Sequence, residues 1–384
     1  MKAAGVIVEF NPLHSGHVEH LRETIRLTGR QHIVAVMSGN YVQRGEPAIC
    51  DKWRRTKMAL LAGVDIVIEL PVIYVVSGAD YFARAGVKLL GATGIVDRLC
   101  FGSESGDLAQ IKEAGRVLAH EPEEYKTALR RGLGKGMSFA AARGAALNEA
   151  MGAIPDGLLT QPNNGLGIEY CKALWQLDWP MEAFTSYRKA GGPSATAIRK
   201  MVWEGGWAAA GLPPYALEIL KEAAQANEFV KLDDFGEIFR YLLFTTNPQM
   251  GEGLENRFRR FAQNHHRLTD LLDAVKTKRY TYTRLQRAAM GVILGIHPAN
   301  MAENISGPQY IRVLGFRRES ANLLGEMTRR ASLPVITTGE AMDNLKGPGA
   351  DMLSKEFEAG DIYKMAFGGD CGYRHERGMP MVIV

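Results

Sequence analysis

Residues 4–17 read Ala-Gly-Val-Ile-Val-Glu-Phe-Asn-Pro-Leu-His-Ser-Gly-His, and this stretch decides the fold. The apolar run from Ala4 to Val8 is typical of a buried strand, and Asn11-Pro12 then turns the chain. Ser15 is a favourable N-cap residue, so we expect a helix from about Gly16 to Leu27. The pattern therefore predicts a strand, a turn and a helix whose first turn carries two histidines.

His14 and His17 stand at the start of this helix, where free backbone N–H groups and the positive dipole end favour phosphate. Gly16 lets a ligand approach the backbone, and an imidazole can donate to charge that develops on a phosphate. Two other interpretations stay open. One is a capping and a core histidine; the other is a metal site of His14, His17 and His20. Because no cysteine or carboxylate stands nearby at ligand spacing, we predict no metal site.

The whole chain has 384 residues, of which 46% are hydrophobic and 23% charged. This length allows two or three domains with a substantial core. No run of 18 apolar residues is present and the N-terminus enters a strand at once, so we expect neither a membrane span nor a signal peptide. The net charge of +4 permits nucleic-acid binding without requiring it. Nothing in the sequence indicates an oligomeric state.

The cysteines are scattered and form no C-x-x-C pair: Cys50, Cys100, Cys171 and Cys371. This spacing argues against structural zinc and against a disulfide framework. It suits a reducing compartment, so the predicted location is cytoplasmic.

Strands alternate with helices along the first 210 residues. Apolar runs at 32–37, 64–70, 98–101 and 181–186 predict four strands after the first one. This alternation predicts an α/β fold with a doubly wound, parallel, five-stranded sheet. Ligands bind such sheets at the carboxyl ends of the strands, near the switch point. We expect the loops there to bring together His14, His17, Ser38, Arg44 and Gly102.

Two later helix starts carry groups that suit a nucleotide. The Asn163-Asn164 pair can hydrogen-bond an adenine edge, although such a pair is also a common helix cap. Ser194 and Thr196 open a helix where hydroxyls and backbone amides, with Arg188 and Arg199 near, can hold triphosphate oxygens. The alternative there is an ordinary serine cap with a surface arginine.

Residues 211–300 are mainly helical in pattern, and positive charge is concentrated within them. Basic residues outnumber acids between residues 257 and 287, and two tyrosines interrupt the basic run. Basic side chains neutralise phosphates and aromatic rings stack on unpaired bases, whereas a solvated face is the plainer interpretation. The predicted RNA-binding residues are Lys276, Lys278, Arg279, Tyr280, Tyr282, Arg284 and Arg287.

The last part of the chain has the pattern of a small α/β unit, with strands at 310–316 and 333–337 around a helix. We therefore divide the chain into a nucleotide-binding catalytic domain, a basic helical region and a small α/β tail. Their predicted boundaries are 1–210, 211–300 and 301–384.

Blocks along most of the chain resemble the bacterial tRNA(Met) cytidine acetate ligase family, which is part of the nucleotidyl-transferase superfamily with its H-x-G-H signature. The matching blocks are residues 5–17, 37–48, 51–53, 67–71, 101–104, 162–164, 194–199 and 280–287. The resemblance implies that ATP and acetate give acetyl-adenylate and pyrophosphate, with Mg²⁺ bound mainly through the ATP phosphates. The acetyl group then passes to N4 of the wobble cytidine of elongator tRNA(Met).

The family's nucleotide segment falls on Ile7, Val8, Glu9, Phe10, Asn11, Pro12, Leu13, His14, Ser15, Gly16, His17, Val18, Glu19 and His20. Its other nucleotide contacts fall on Gly102, on Asn163 or Asn164 with Asn163 favoured, and on Arg188 with Lys189. We take His14, His17 and Arg199 as the catalytic residues. The sequence departs from the family at Phe10 and Leu13, often Tyr and Phe there, and in a short loop from Arg188 to Ser194.

Two other functions fit part of this pattern. A small-molecule adenylyltransferase would share the nucleotide site, but it has no use for the extra basic helical region. A non-catalytic RNA-binding protein would not need intact His14, His17, Ser194, Thr196 and Arg199. We therefore expect an ATP-dependent carbon–nitrogen ligase that acts on tRNA.

Overall fold

A computed structural model describes residues 1–152, 154–155, 157–188, 194–207, 211–277, 279–297, 306–367 and 375–384. It has a central, mostly parallel sheet with helices on both faces, as the alternating sequence pattern predicts. Lys189, Lys278 and Cys371 lie outside the described residues, as does most of the short loop before Ser194.

The strands are β1 (Ala3–Val8), β2 (Ile33–Ser38), β3 (Tyr41–Val42), β4 (Glu46–Pro47), β5 (Ile66–Leu70), β6 (Val96–Ser103), β7 (Glu182–Tyr187), β8 (Ile311–Phe316), β9 (Val335–Ile336) and β10 (Val382–Ile383).

The helices of the first half are α1 (Ser15–Thr28), α2 (Lys52–Leu61), α3 (Val72–Val75), α4 (Ala79–Ala92), α5 (Leu108–His120), α6 (Glu123–Gly134), α7 (Phe139–Met151), α8 (Pro162–Leu177) and α9 (Ala195–Trp203). Those of the second half are α10 (Pro214–Gln225), α11 (Gly236–Thr245), α12 (Leu254–Ala262), α13 (Leu268–Val275), α14 (Tyr282–Ile293), α15 (Ala321–Arg330), α16 (Gly339–Asp343) and α17 (Pro348–Lys364). Short 3-10 helices cover Leu232–Phe235, Arg318–Ser320 and Glu376–Gly378.

The strand order places the switch point of the sheet at β1. Within the described residues the order is β10-β8-β5-β2-β1-β6-β7, with β9 beside β8. The chain runs outward from β1 through β2 to β5, then returns to the other side of β1 for β6 and β7. The pairs β1–β2, β2–β5, β1–β6 and β6–β7 are all parallel. The loops after β1 and β6 therefore border one crevice at the carboxyl end of the sheet.

Both faces of the sheet are buried, and β1 shows why its sequence is apolar throughout. Val6 and Val8 pack into the cluster on one face, with Phe10 and Leu13. Ile7 points the other way and packs against α4. A strand covered on both faces needs apolar residues at successive positions rather than at alternate ones.

The tail predicted as a small separate α/β unit, residues 301–384, instead extends the central sheet. Its strand β8 pairs antiparallel with β5, and β9 and β10 both pair parallel with β8. The five predicted parallel strands are confirmed as the core of the sheet. The sheet as described has eight strands, three of them from the tail.

A fully buried group of charged residues joins this tail to the first half of the chain. Lys52 Nζ lies 2.7 Å from Glu376 and also pairs with Glu69. Arg312 pairs with Glu69 at 2.8 Å and with Glu376 at 3.3 Å. Glu356 Oε2 accepts a hydrogen bond from the Val72 N–H at 2.6 Å. We call Lys52, Glu69, Arg312, Glu356 and Glu376 the buried charge cluster.

Cys50, Cys100 and Cys171 are free and buried. In the described part of the chain, no helix combines the length and the apolar character needed to cross a bilayer.

Candidate nucleotide site

The loop after β1 ends in a helix cap made by histidine rather than by serine. His14 has an extended backbone, with φ of −138°, and its side chain accepts the Gly16 N–H. The predicted cap at Ser15 is therefore wrong by one residue: Ser15 is the first residue of α1 and is exposed. His17 completes a reciprocal cap, because its Nδ1 accepts the His14 N–H at 3.2 Å.

The two capping imidazoles stack on each other. Their ring centroids are 3.7 Å apart with a 30° tilt. Nδ1 of His14 accepts the Gly16 N–H at 3.1 Å, as Nδ1 of His17 accepts the His14 N–H. An imidazole nitrogen that accepts a hydrogen bond carries no proton, so in the neutral ring the proton sits on Nε2. Neither Nε2 has a partner among the described residues, which leaves one N–H donor on each ring for a ligand.

The surroundings keep these rings neutral. Burial, followed by the positive charge of Arg188, lowers the pKa of His14 to about 4. Burial, then His14, Arg188 and His20, lowers the pKa of His17 well below its usual value. His20 has its pKa lowered to about 4 by burial and by Arg188, and its Nδ1 lies 2.7 Å from Ser186 Oγ. His20 is thus tied to β7 and is not part of the stacked pair.

Arg188 follows β7 and brings a cation to these histidines. Its side chain crosses Gly102, at the end of β6, where a Cβ would lie only 3.2 Å from the Arg188 Cγ and Cδ. Its Nη1 donates to Asn163 Oδ1 at 3.0 Å. Asn163 Nδ2 in turn donates to Glu104 Oε1 at 2.5 Å. The structure therefore brings the predicted residues Gly102, Asn163 and Arg188 together beside the histidines.

The two neighbouring asparagines have different surroundings. Asn164 is fully buried, and its Oδ1 accepts the N–H groups of Glu104 and Ser105 at 3.0 and 3.1 Å. Its Nδ2 donates to Gln161 Oε1 at 2.9 Å. Asn164 therefore holds the loop after β6, whereas the half-buried Asn163 is the one that faces the Arg188 cation.

The start of α9 lies against the loop after β1, but its arginine is engaged by the protein. Arg199 is 7% exposed; its Nη1 donates to the Asn11 carbonyl at 2.9 Å and its Nη2 to Glu46 at 2.8 Å. Nη2 also lies 3.4 Å from Thr196 Oγ1. Ser194 Oγ caps the helix by accepting the Ala197 N–H. Arg199, predicted to be catalytic, is thus held by protein groups, while Ser194 and Thr196 stay exposed.

A short hairpin, β3 with β4, closes the other side of the crevice, and sequence reasoning missed its role. Glu9 Oε1 accepts the Gln43 N–H at 2.6 Å, and Glu46 holds Arg199. Arg55 reaches from α2 to donate to the Glu9 carbonyl at 2.6 Å. These contacts fix the hairpin against the loop after β1. In the sequence, the only local indication of this hairpin was that Glu46 stands next to Gly45, a residue that favours turns.

The remaining residues of the predicted nucleotide segment differ in burial: some lie in the core beneath the loop and others are at the surface. Val8, Phe10, Pro12 and Leu13 are buried, so the departures at Phe10 and Leu13 lie in the support of the loop. Phe10 meets the His17 ring edge-on at 5.0 Å. Val18 is half-buried, and Glu19 is exposed on the outer face of α1.

The predicted RNA-binding residues are at the start of α14 and just before it. Arg279 and Arg284 both pair with Glu252, Arg279 at 2.9 Å. Tyr280 is only 8% exposed, and both guanidinium groups lie over its ring, 5.4 and 5.2 Å from the centroid. Tyr280, predicted to bind RNA, is therefore largely covered by the two arginines. The ring supports the two arginines.

The other members of this set are less engaged. Lys276 is exposed, with its Nζ 6.0 Å from the ring centroid of the half-buried Tyr282. Arg287 is half-buried, and burial followed by Arg284 lowers its pKa.

The basic helix α14 is attached directly to the hairpin. Gly45 has a φ of +79°, and a Cβ there would lie 2.5 Å from the Arg287 nitrogen and 2.8 Å from the Gln286 carbonyl carbon. Only glycine allows both this backbone conformation and this approach. Gly45 therefore connects the predicted RNA-binding helix with the loop that borders the histidines.

Among the residues that the structure describes, no three His, Cys, Asp or Glu side chains form a group that could hold a metal ion.

Comparison with known proteins agrees with this geometry. The family model described as HIGH Nucleotidyl Transferase matches residues 1–376. The tRNA(Met) cytidine acetate ligase of Caldanaerobacter subterraneus subsp. tengcongensis is 42% identical over 96% of both chains. That of Acetivibrio thermocellus is 36% identical over 96% of this chain and 95% of the relative.

A solved structure is similar over the entire length. The crystal structure of Thermotoga maritima TmcAL bound with alpha-thio ATP matches with a TM-score of 0.93 and 33% identity, covering 100% of both chains. Family model, relatives and solved structure all span the crevice and the tail alike. The chain belongs to the tRNA(Met) cytidine acetate ligase family of HIGH nucleotidyl transferases.

Proposed function

We propose that this protein activates acetate with ATP as acetyl-adenylate and transfers the acetyl group to N4 of the wobble cytidine of elongator tRNA(Met). The observation that carries the proposal is the stacked pair His14 and His17. Their Nδ1 atoms are occupied by backbone N–H groups, so both Nε2–H groups can donate to phosphate. ATP and tRNA are the substrates, and we place the reaction in the cytoplasm.

In the first step, a carboxylate oxygen of acetate attacks the α-phosphorus of ATP, and pyrophosphate leaves. Negative charge grows on the oxygen between the α- and β-phosphorus atoms as that bond breaks. Preorganised donors aimed at such an oxygen are the main source of rate acceleration in this kind of transfer. The two imidazoles and the nearby Arg188 supply neutral donors and one cation without reorganisation.

Asn163 and Arg188 would hold the nucleotide itself. Their mutual hydrogen bond and the anchoring of Asn163 by Glu104 keep both side chains at the crevice. Arg199 keeps the loop in place from behind through Asn11 and Glu46. Mg²⁺ would be carried by the phosphates of ATP, since the carboxylates Glu46 and Glu104 already have protein partners; it would neutralise phosphate charge.

The basic helix α14 supports the choice of an RNA substrate. The exposed Arg279 just before the helix and the half-buried Arg284 at its start suit phosphate, and the helix backbone touches the hairpin at Gly45. A tRNA bound along α14 would thus lie next to the crevice in which the acetyl group is activated. Free acetate rather than acetyl-CoA is the expected donor, because a thioester needs no ATP to be reactive.

The test is acetate-dependent exchange of labelled pyrophosphate into ATP, followed by transfer of labelled acetate to tRNA(Met). His14→Asn and His17→Asn are the informative variants, because an asparagine Oδ1 can replace Nδ1 in the cap while the Nε2–H donor is lost. Removal of one such donor costs roughly 10²–10³-fold in rate. We expect that loss in exchange, with an unchanged melting temperature.

His120→Asn is the matched control, because it changes an exposed histidine at the far end of α5. ADP instead of AMP as the product, or labelling from acetyl-CoA without ATP, would contradict the proposal. Exchange that requires no acetate would point to an adenylyltransferase with another acceptor. Binding of tRNA without any pyrophosphate release would point to a non-catalytic RNA-binding protein.

A further inference from the structure

We propose that Glu9 is the base that removes the proton from the cytidine N4 amine during acetyl transfer, an inference that rests on the proposed function. Glu9 follows the last residue of β1, at the carboxyl end of the central strand. That position is where the sheet presents ligands to its crevice.

The two carboxylate oxygens of Glu9 have different surroundings. Oε1 accepts the Gln43 N–H at 2.6 Å, which fixes the side chain against the hairpin. Oε2 has no hydrogen-bond partner in the described ranges, and it is not one of the buried unpaired polar atoms there. One oxygen is therefore anchored, and the other has no partner within those ranges and is not fully enclosed by the protein.

The surroundings of Glu9 make its carboxylate more basic than an ordinary glutamate. Burial raises its pKa, and Glu46 adds to that effect. The Gln43 N–H and the more distant cations Arg55 and Arg44 act in the opposite direction without removing the shift. A general base is most effective when its pKa approaches the working pH.

The other candidate bases at the crevice are occupied. Glu46 is paired with Arg199, and Glu104 accepts from the side chain of Asn163 and from backbone N–H groups. The stacked histidines use Nδ1 as an acceptor already and carry their protons on Nε2. Among the described groups that border the crevice, Glu9 is thus the carboxyl group that has both a free oxygen and no cation paired with its side chain.

Glu9 also lies on the path from the basic helix to the histidines. Gln43, which holds it, is in the same hairpin as Arg44 and Gly45. Arg44 is exposed, and Gly45 packs on the α14 backbone at Arg287. An RNA strand on α14 would therefore reach the crevice past Arg44 and arrive at Glu9.

The proposed step balances as follows. The lone pair of N4 attacks the acetyl carbonyl carbon of acetyl-adenylate, and a carbon–nitrogen bond forms. The bond from that carbon to the phosphate oxygen breaks, and AMP leaves with the electron pair. The amine has one proton too many after the attack, and Glu9 Oε2 takes it. The resulting carboxylic acid then returns the proton to solvent.

Glu9→Gln tests this role with little disturbance, because an amide oxygen can still accept the Gln43 N–H. Loss of a general base lowers a rate by about 10²–10⁴-fold. We expect labelled acetyl transfer to tRNA(Met) to fall by at least about 10²-fold in single-turnover experiments. Acetohydroxamate formation, with hydroxylamine trapping the acetyl-adenylate, should fall much less, because that nucleophile needs no base. Glu113→Gln, on the exposed face of α5, is the charge-matched control.

The outcomes separate the two proposals. If the wild-type protein forms no acetohydroxamate from ATP and acetate, the proposed function fails. If the wild type performs both reactions, equal losses of both in Glu9→Gln would overturn the base assignment and indicate a role in nucleotide binding. Full transfer activity in the variant would overturn it as well. A selective loss of transfer with an unchanged melting temperature supports it.

Discussion

Replacing Glu356 in the buried charge cluster should change the free energy of unfolding little, whereas replacing its neighbour Glu69 should lower it strongly. Burial and the nearby Glu69 raise the pKa of Glu356 well above its usual value, which favours its protonated, neutral form. Glu69 lies between Lys52 and Arg312, and these two cations help to hold its pKa below the usual value. Two cations then face the carboxylates of Glu69 and Glu376, which balances the charge.

The structure allows a magnitude for each change. Glu356→Gln keeps a carbonyl oxygen for the Val72 N–H and a donor towards Glu69, and removes no charge. We expect a change below about 1 kcal/mol, as for a substitution that creates no unpaired group. Glu69→Gln leaves two buried cations with a single carboxylate, and breaking a buried pair in this way costs about 3–5 kcal/mol. Lys364, 3.6 Å from Glu376, adds a further cation at the edge.

Thermal unfolding followed by circular dichroism measures the difference in stability between the two variants. For a chain of this length the Glu69→Gln cost corresponds to a fall in Tm on the order of 4–6 °C. A folded-state pKa above the unfolded value means that the folded state binds the extra proton, so the contribution of Glu356 to stability falls as pH rises beyond about 4.5. Glu356→Gln should therefore gain stability relative to the wild type as pH increases. Equal destabilisation by both variants would refute a neutral Glu356.

Three further outcomes are expected from single contacts. Asn164→Ala leaves two backbone N–H groups unpaired and should lower the free energy of unfolding by about 1–3 kcal/mol. Asn163→Ala should instead raise the KM for ATP. The opposite result for the two variants would mean that their roles are exchanged. Gly45→Ala forces a left-handed backbone onto alanine, at a cost of about 1–2 kcal/mol before any clash, so an unchanged Tm would contradict the observed approach to α14. Replacing Arg279 and Arg284 by Gln should flatten the salt dependence of tRNA binding by up to about 0.9 in log–log slope for each arginine, measured by filter binding at several salt concentrations; an unchanged slope would make the basic stretch a solvated face.

The sequence predicts the parallel strands, and the edge of the sheet that carries the nucleotide site, because both depend on local patterns. Apolar runs locate β1, β2, β5, β6 and β7, and polar residues follow each of the strands that border the crevice. Asp51, a residue type that favours the N-cap position, caps α2, since its carboxylate accepts the Arg54 N–H at 2.7 Å. Capping by His14 was not predictable from residue preference, because imidazole is not among the usual N-cap side chains.

Other features depend on residues that are far apart in the chain. The buried charge cluster joins Glu69 with Arg312, 243 residues later, and neither position alone has a pattern that indicates a buried charge. The helix α13 has only eight residues, too few for a clear periodic signal. Tyr280 is another example, because its basic neighbours in the sequence do not reveal that Arg279 and Arg284 cover its ring.

The tail of the chain affects the crevice although it contributes none of the candidate nucleotide ligands. Tyr41, in the hairpin strand β3, donates from its hydroxyl to the Ala359 carbonyl in α17 at 3.2 Å. Tyr363, also in α17, donates to the Ala48 carbonyl just after the hairpin at 2.8 Å. These bonds hold both ends of the segment that fixes Glu9 and Arg199. The tail therefore supports the site from the side opposite the crevice, and the pairing of its strands with the central sheet holds it there.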